Sequence, residues 1–557
     1  MQRILLTVCA VLFVAVPAPA QVFDEDFDAW PLHTSLGGTL AICPDLAQAA
    51  RFENLLRRAG EDTNVVLLAH RETRMGDVAG LEKFFSKASV TYGLLEAGSL
   101  DASLAAEDAP DLVVLISPTD IVPQGLGGSA DALAAYVRGG GRLGLLGGVA
   151  QLAGKFLLPD DGDLQAGLNV LPMAVLSVSD ADDKRLLDAI SAKGRTVGLQ
   201  LSSEAMLVVR RRITQVVGEG TASFVLPAGP HHSVRRQTLT QRQQGQRAPQ
   251  FLVDWTEWRR DSIDRTLPKF PADEPPVPRV ENGTLLIVGG GGMPAGLMER
   301  FVELAGGKEA RLVYIPCTEE PEVSPQQGMV RYWERLGVKQ ATTVHTKDRQ
   351  RANSDQEFLA PLKNATGVWF GGGRQWNMAD SYYGTQAQKL MKDVLARGGV
   401  IGGSSAGASI QARYLARATP IENFRIMAPG YERGGLGFIG GVAIDQHFSQ
   451  RGRQKDMTQL VNRYPQMLGI GLDEATAIEV QKSRATVVGR GRVFFYDRKT
   501  HTAEDDPDYV ALPAGGVYEL DKRKVLVMPS TDEGASPADA EAGSPEDADT
   551  KSTTNAP

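Results

Sequence analysis

From Gly38 onward, short aliphatic runs alternate with longer stretches in which apolar positions recur at helical spacing. Val65 to Leu68, Leu112 to Ile116, Leu285 to Val288, Leu312 to Ile315, Gly367 to Phe370 and Val400-Ile401 are such runs. The alternation predicts βαβ units around parallel sheets, an α/β protein. In an open α/β sheet the ligand lies beyond the carboxyl ends of the strands, so the loops that follow these runs are the place to look for chemistry. Ala485 to Tyr496 and Val517 to Met528, rich in Val and Phe with Gly and Asp turns, predict antiparallel strands at the end of the second half.

The pattern occurs twice. Gly38-Thr39-Leu40-Ala41-Ile42 matches Gly283-Thr284-Leu285-Leu286-Ile287, and Arg51-Phe52 opens a helical stretch as Arg300-Phe301 does. Val65 to Leu68 parallels Leu312 to Ile315, Leu112 to Ile116 parallels Gly367 to Gly371, and Tyr136 to Gly140 parallels Leu395 to Gly399. Gly198 to Val209 parallels Gly469 to Val480. A shared order of matches predicts tandem copies of one α/β domain, 21–227 and 283–529. The connector 228–282 reads as a basic stretch (Arg235, Arg236, Arg242, Arg247) and then a proline-rich spacer, Pro268 to Pro278. Within it Asp254 to Arg265 predicts a short helix that docks Trp255 and Trp258 on a domain.

Composition adds the ends of the chain. Of 557 residues, 42% are hydrophobic and 23% charged, the soluble globular range, and the length calls for more than one core. Arg3, the apolar run Ile4 to Val16 and Ala18-Pro19-Ala20 read as a cleaved signal peptide, 1–20, so a secreted or periplasmic protein with no membrane span after cleavage is expected. The tail 530–557 carries most of the net charge of −8 and too few apolar residues to bury. The rest is close to neutral, which gives no reason to expect nucleic acid as a partner. Cys43 and Cys317, left after Cys9 is removed with the signal, suit buried thiols. His231-His232 and His345 lack metal-ligand spacing, and no metal or cofactor is implied.

Gly402-Gly403-Ser404-Ser405-Ala406-Gly407-Ala408 follows the run Val400-Ile401 and precedes a predicted helical stretch, Ile410 to Leu415. Small residues around Ser405 permit the tight strand-to-helix turn that exposes a nucleophilic hydroxyl. Such a hydroxyl needs a base oriented by an acid. Beyond Ser405 the sequence offers His447 and His501 as bases, with Glu474 as the orienting acid. Ser405, Asp473 and His501 would instead satisfy the chain order of an α/β-hydrolase esterase. Gly290 to Ala295 formally matches a dinucleotide fingerprint, a weak signal because Pro294 disturbs the turn.

Ser405-Ala406-Gly407-Ala408, Asp445-Gln446-His447-Phe448, Asp473 to Ala477 and Gly371 to Gln375, in that family's order, resemble the cyanophycinase-like serine peptidases, family S51. The resemblance implies two class I glutamine amidotransferase-like (flavodoxin-like) domains and a triad of Ser405, His447 and Glu474. It also implies an oxyanion site at the amides of Gly373 and Ala406, and substrate contacts from Gln375, Asp445, Gln446, Arg451 and Arg453. The implied substrate is a peptide or an arginine/aspartate-rich polymer, cleaved at β-aspartyl-arginine linkages. Two positions depart from the family pattern: Asp456 stands where a third arginine is usual, and Arg374 where an acid is usual. In the first half Gly147 falls at the place of Ser405 and Ser202-Ser203 at that of Asp473-Glu474, so that half is expected to be non-catalytic. It could bind a ligand or take the position of a second subunit, giving an intrachain pseudo-dimer in place of a homodimer. A secreted binding protein without activity is the remaining alternative.

Overall fold

The computed structural model describes residues 36–47, 63–74, 76, 88–104, 109–179, 184–421, 425–502 and 504–529. The expected signal segment, the helix opened by Arg51-Phe52 and the acidic tail lie outside the described residues.

In the first half, strands Ser89–Leu94, Asn64–Ala69, Leu112–Ile116, Arg142–Leu146 and Thr39–Cys43 lie side by side in parallel. Met206–Arg210, Ile213–Val217 and Val253–Asp254 extend the sheet antiparallel. In the second half the order recurs. Gln340–Thr343, Arg311–Cys317, Gly367–Gly373, Val400–Ser404 and Val280–Val288 are parallel. Thr476–Lys482, Arg484–Gly489, Val517–Glu519 and Lys524–Val527 continue antiparallel.

Each half also has a smaller sheet of corresponding order. Phe156–Leu157, Ala174–Val178 and Val197–Leu201 run parallel, followed antiparallel by Ala222–Leu226 and Arg235–Leu239. Their counterparts are Ala412–Tyr414, Ile439–Asp445, Leu468–Leu472, Arg492–Asp497 and Val510–Pro513.

Strand periodicity assigns the two faces of the second half's main sheet to separate buried clusters. Leu285 and Ile287 pack in one cluster with Ile444 and Ile470 of the smaller sheet. Leu286 and Val288 face the opposite way, onto Phe301 and Trp333 of helices Leu297–Leu304 and Gly328–Arg335. Both faces of the parallel sheet are thereby removed from water, each buried Leu or Ile contributing about 1.5–3 kcal/mol before entropy is counted.

Two expectations change. The first is the connector. Arg235–Leu239 is an edge strand of the first half's smaller sheet, Val253–Asp254 joins its main sheet, and helix Trp255–Asp264 is buried along its whole length. Arg235 is not a solvated basic residue: it pairs with Glu257 and Asp261 at 2.7 Å each and stacks over Trp258 at 4.3 Å. The helix itself was legible, with Asp254 capping the amides of Thr256 and Glu257 and both tryptophans set against Phe224.

The second is the stretch after Ser405. Only Ala406–Ser409 is helical, and Ala412–Tyr414 is already a strand of the smaller sheet. The carbonyls of Ile410 and Gln411 are taken by the amides of Leu436 and Phe438, at 2.8 and 2.9 Å, so no further helical turn can use them.

Candidate active site

Strand Val400–Ser404 delivers Ser405 at φ 55° and ψ −113°, a conformation costing a side-chain-bearing residue about 1–3 kcal/mol. The strain is held by hydrogen bonds from the Ser405 amide to the Val288 carbonyl (3.0 Å) and from the Ala408 amide to the Ser405 carbonyl (2.9 Å). His447 stands just beyond strand Ile439–Asp445, also at positive φ (48°), its amide donating to the Gly289 carbonyl at 2.8 Å. Glu474 follows strand Leu468–Leu472, and the next amide, of Ala475, donates to the Gly290 carbonyl at 2.8 Å. Three strand ends from two sheets thus converge. Ser405 Oγ lies 2.8 Å from His447 Nε2, and His447 Nδ1 lies 2.6 Å from Glu474 Oε1.

The loop that binds these arms together is Gly289 to Gly292, which the sequence offered only as a weak nucleotide fingerprint. A Cβ at Gly290 (φ +91°) would stand 2.4 Å from His447 Cε1, and one at Gly291 (φ +61°) 2.3 Å from the Glu474 carboxyl carbon. The run of glycines lets the backbone pass against the triad while its carbonyls fix two of the three arms. Consecutive glycines directly after the strand Val280–Val288 were the available signal.

Burial lowers the pKa of His447 from its ordinary value; the hydrogen bond to Glu474 opposes this, and the nearby charge of Arg451 reinforces it. The imidazole is therefore neutral at pH 7 and able to accept a proton. The alternative acid and base are engaged elsewhere: Asp473 accepts from Ser449 and from the Arg492 amide, and His501 Nδ1 lies 3.0 Å from Thr500 Oγ1.

Several expected substrate contacts turn out to be internal. Asp445 is fully buried between Arg417 and Arg453, at 2.8 Å from each, and cannot line a pocket. Arg453 is 5% exposed and also donates to the Gln446 carbonyl at 2.6 Å and to its side-chain oxygen at 3.3 Å. Gln375 spends its side-chain NH₂ on the carbonyls of Ala416 and Arg417, both at 2.8 Å. Arg417, at φ 56° and 2% exposed, explains the change: it needs a buried anion, takes Asp445, and is met on its outer side by Asp456 at 2.6 Å. Of the expected contacts, Arg451 is the exposed cation beside His447. On the stretch Gly371 to Gln375, Gly372 faces Ser405, a Cβ there being 3.6 Å from that of Ser405, while Gly373 packs on Cys317. The Cys317 thiol donates to the Arg374 carbonyl, and burial pushes its pKa up to about 12. Among the described residues no group of His, Cys, Asp and Glu could hold a metal ion, and no helix is long and apolar enough to cross a membrane.

The comparisons with known proteins fall on this region. The family model described as peptidase family S51 matches residues 284–488. A cyanophycinase of Trichormus variabilis is 28% identical over 260 residues, covering 43% of this chain and 85% of the relative. A cyanophycinase of Geminocystis herdmanii is 28% identical over 209 residues, 36% of this chain and 74% of the relative. Among solved structures, a peptidase from an acI-B1 actinobacterium aligns at 21% identity over 43% of this chain and 97% of its own, with a TM-score of 0.33. The likeness to peptidase family S51 and to the cyanophycinases thus falls on residues 284–488, the stretch that holds the strand ends bearing Ser405, His447 and Glu474, and it supports a serine-type peptidase in the second half of the chain.

Proposed function

We propose that the chain is an exported serine peptidase that hydrolyses peptide or isopeptide bonds through an acyl-enzyme on Ser405. The observation that carries this is the continuous relay from Ser405 Oγ through His447 to Glu474, at 2.8 and 2.6 Å. His447 Nε2 takes the hydroxyl proton as Oγ attacks the scissile carbonyl carbon. The same proton then passes to the leaving nitrogen, and the C–N bond breaks. Water, deprotonated by His447, attacks the acyl-enzyme and returns Ser405 to its hydroxyl form. The resemblance assigns the developing oxyanion to the amides of Gly373 and Ala406, and a donor of that kind is worth about 100- to 1000-fold in rate.

Arg451, exposed beside His447, suits a substrate carboxylate, and this supports β-aspartyl-arginine linkages as substrates. Asp456, already paired with Arg417, removes a second cation from that duty and speaks for a narrower or different polymer than cyanophycin. Export rests on Arg3, the apolar run from Ile4 and Ala18-Pro19-Ala20. The first half is read as a degenerate, non-catalytic copy that pairs with the second as a pseudo-dimer within the chain. The test is to incubate the purified chain from Gln21 onward with cyanophycin and with panels of β-aspartyl and α-linked dipeptides. Release of β-aspartyl-arginine supports the narrow reading, cleavage of other β-aspartyl or α-linked peptides only the broader one, and no cleavage of any peptide by folded protein contradicts both.

A further inference from the structure

Between the two halves lies a cluster of buried charges that the proposed chemistry does not use. Its centre is Asp380, 3% exposed, on helix Trp376–Tyr382. That helix grows directly out of the loop facing Ser405: its amides at Asn377, Met378 and Ala379 donate to the carbonyls of Arg374 and Gln375, at 2.9, 3.2 and 3.2 Å. The position of the helix therefore fixes the end of the loop that begins at Gly371.

The carboxylate of Asp380 is held by Tyr431 Oη at 2.9 and 3.0 Å, from its own half, and by Arg260 at 3.5 Å, from the connector helix. Its shortest ionic contact comes from the other half. Arg212, in the turn between strands Met206–Arg210 and Ile213–Val217, reaches across to place Nη1 2.8 Å from Asp380 Oδ2. Its Nη2 donates to Tyr431 Oη, and its Nε donates to Asp254, fully buried at the start of the connector helix. A planar guanidinium serves three partners on three elements at once, and a lysine ammonium cannot reproduce that fork.

We propose that the non-catalytic half completes the peptidase site in cis, with Arg212 as a positioning residue that holds the Asp380 helix and, through it, the loop at Gly372. The proposal rests on the serine-peptidase reading of Ser405. The second half by this account is catalytically incomplete without the first. Displacing an aligned group by about 1 Å costs on the order of 100-fold in rate, so loss of Arg212 is felt in turnover.

The experiment uses the full chain from Gln21 with Arg212→Met, Arg212→Lys, Asp380→Asn and the double variant Arg212→Met/Asp380→Asn. Two readouts are taken: steady-state hydrolysis of whichever dipeptide the parent chain cleaves, and amide hydrogen exchange over 371–383. Expected for Arg212→Met is a kcat about 10- to 100-fold lower with KM within about twofold, together with faster exchange in 371–383. Arg212→Lys recovers part of the loss, and the double variant loses less than the product of the single losses. Folded Arg212→Met with parental kcat and parental exchange overturns the proposal, as does a loss confined to thermal stability. If Arg212→Met does not fold, Arg212→Lys decides by the same two readouts. If the parent chain cleaves no peptide, the peptidase reading falls, and exchange over 371–383 alone upholds or overturns the coupling.

Discussion

The two halves share a strand order and diverge around one turn. After Arg142–Leu146 the first half places Gly147 at φ +78°, and after Val400–Ser404 the second places Ser405 at φ +55°. Both residues start a short helical segment, Gly147–Ala153 and Ala406–Ser409. The elbow survives in each, but its surroundings do not. A Cβ on Gly147 would stand 1.9 Å from the Ser117 carbonyl oxygen, whereas Ser405 faces Gly372 and the His447 ring. Where Glu474 follows Leu468–Leu472, the first half follows Val197–Leu201 with Ser202 and Ser203. A turn at positive φ is thus the property of the fold, and a nucleophile is the property of the space around it.

The comparison is broken most severely at the triad. Ser405→Ala and His447→Ala should each lower kcat by about ten-thousand-fold or more in folded protein, while His501→Ala retains parental activity. Steady-state assays with circular dichroism as the folding control check this. The reverse exchange sharpens it: Gly147→Ser adds no activity and lowers stability by about 2–5 kcal/mol, read from denaturant unfolding, because the side chain meets both a positive φ and the Ser117 carbonyl. Gly290→Ala tests the loop under the triad. Its methyl drives into the His447 ring, and kcat should fall about 100-fold with KM nearly unchanged. The smallest effect concerns pH. Neutral His447 is the active form and its pKa is lowered, so kcat/KM should rise with pH through a midpoint below 6.5 and then level off. Arg451→Gln removes a charge that helps lower it, and the midpoint should move up.

Much of this was legible in the chain. The central strands of both halves were set by aliphatic runs too apolar to be anything but interior, and the triad residues by where short motifs fall after those runs. The connector helix was legible from two tryptophans and a capping aspartate. What escaped depended on partners distant in sequence. Arg235 reads as solvated until Glu257, Asp261 and Trp258 are beside it. Asp445 reads as a pocket residue until Arg417, from a separate loop, claims it. Gly290 and Gly291 give only a weak match to a dinucleotide fingerprint, because what they make room for, His447 and Glu474, comes from two other strands. Arg212 carries no local signal, since its partners Asp254, Asp380 and Tyr431 are spread over the connector and the second half.

The central claim is that Ser405, activated by His447, is the nucleophile. It is tested most directly by treating the folded chain with a fluorophosphonate reagent and locating the adduct by peptide mass spectrometry. The expected result is one adduct, on Ser405, formed at the parental rate in His501→Ala and at least about 100-fold more slowly in His447→Ala. No adduct on folded protein, an adduct on another serine, or a rate that depends on His501 rather than His447 would contradict it.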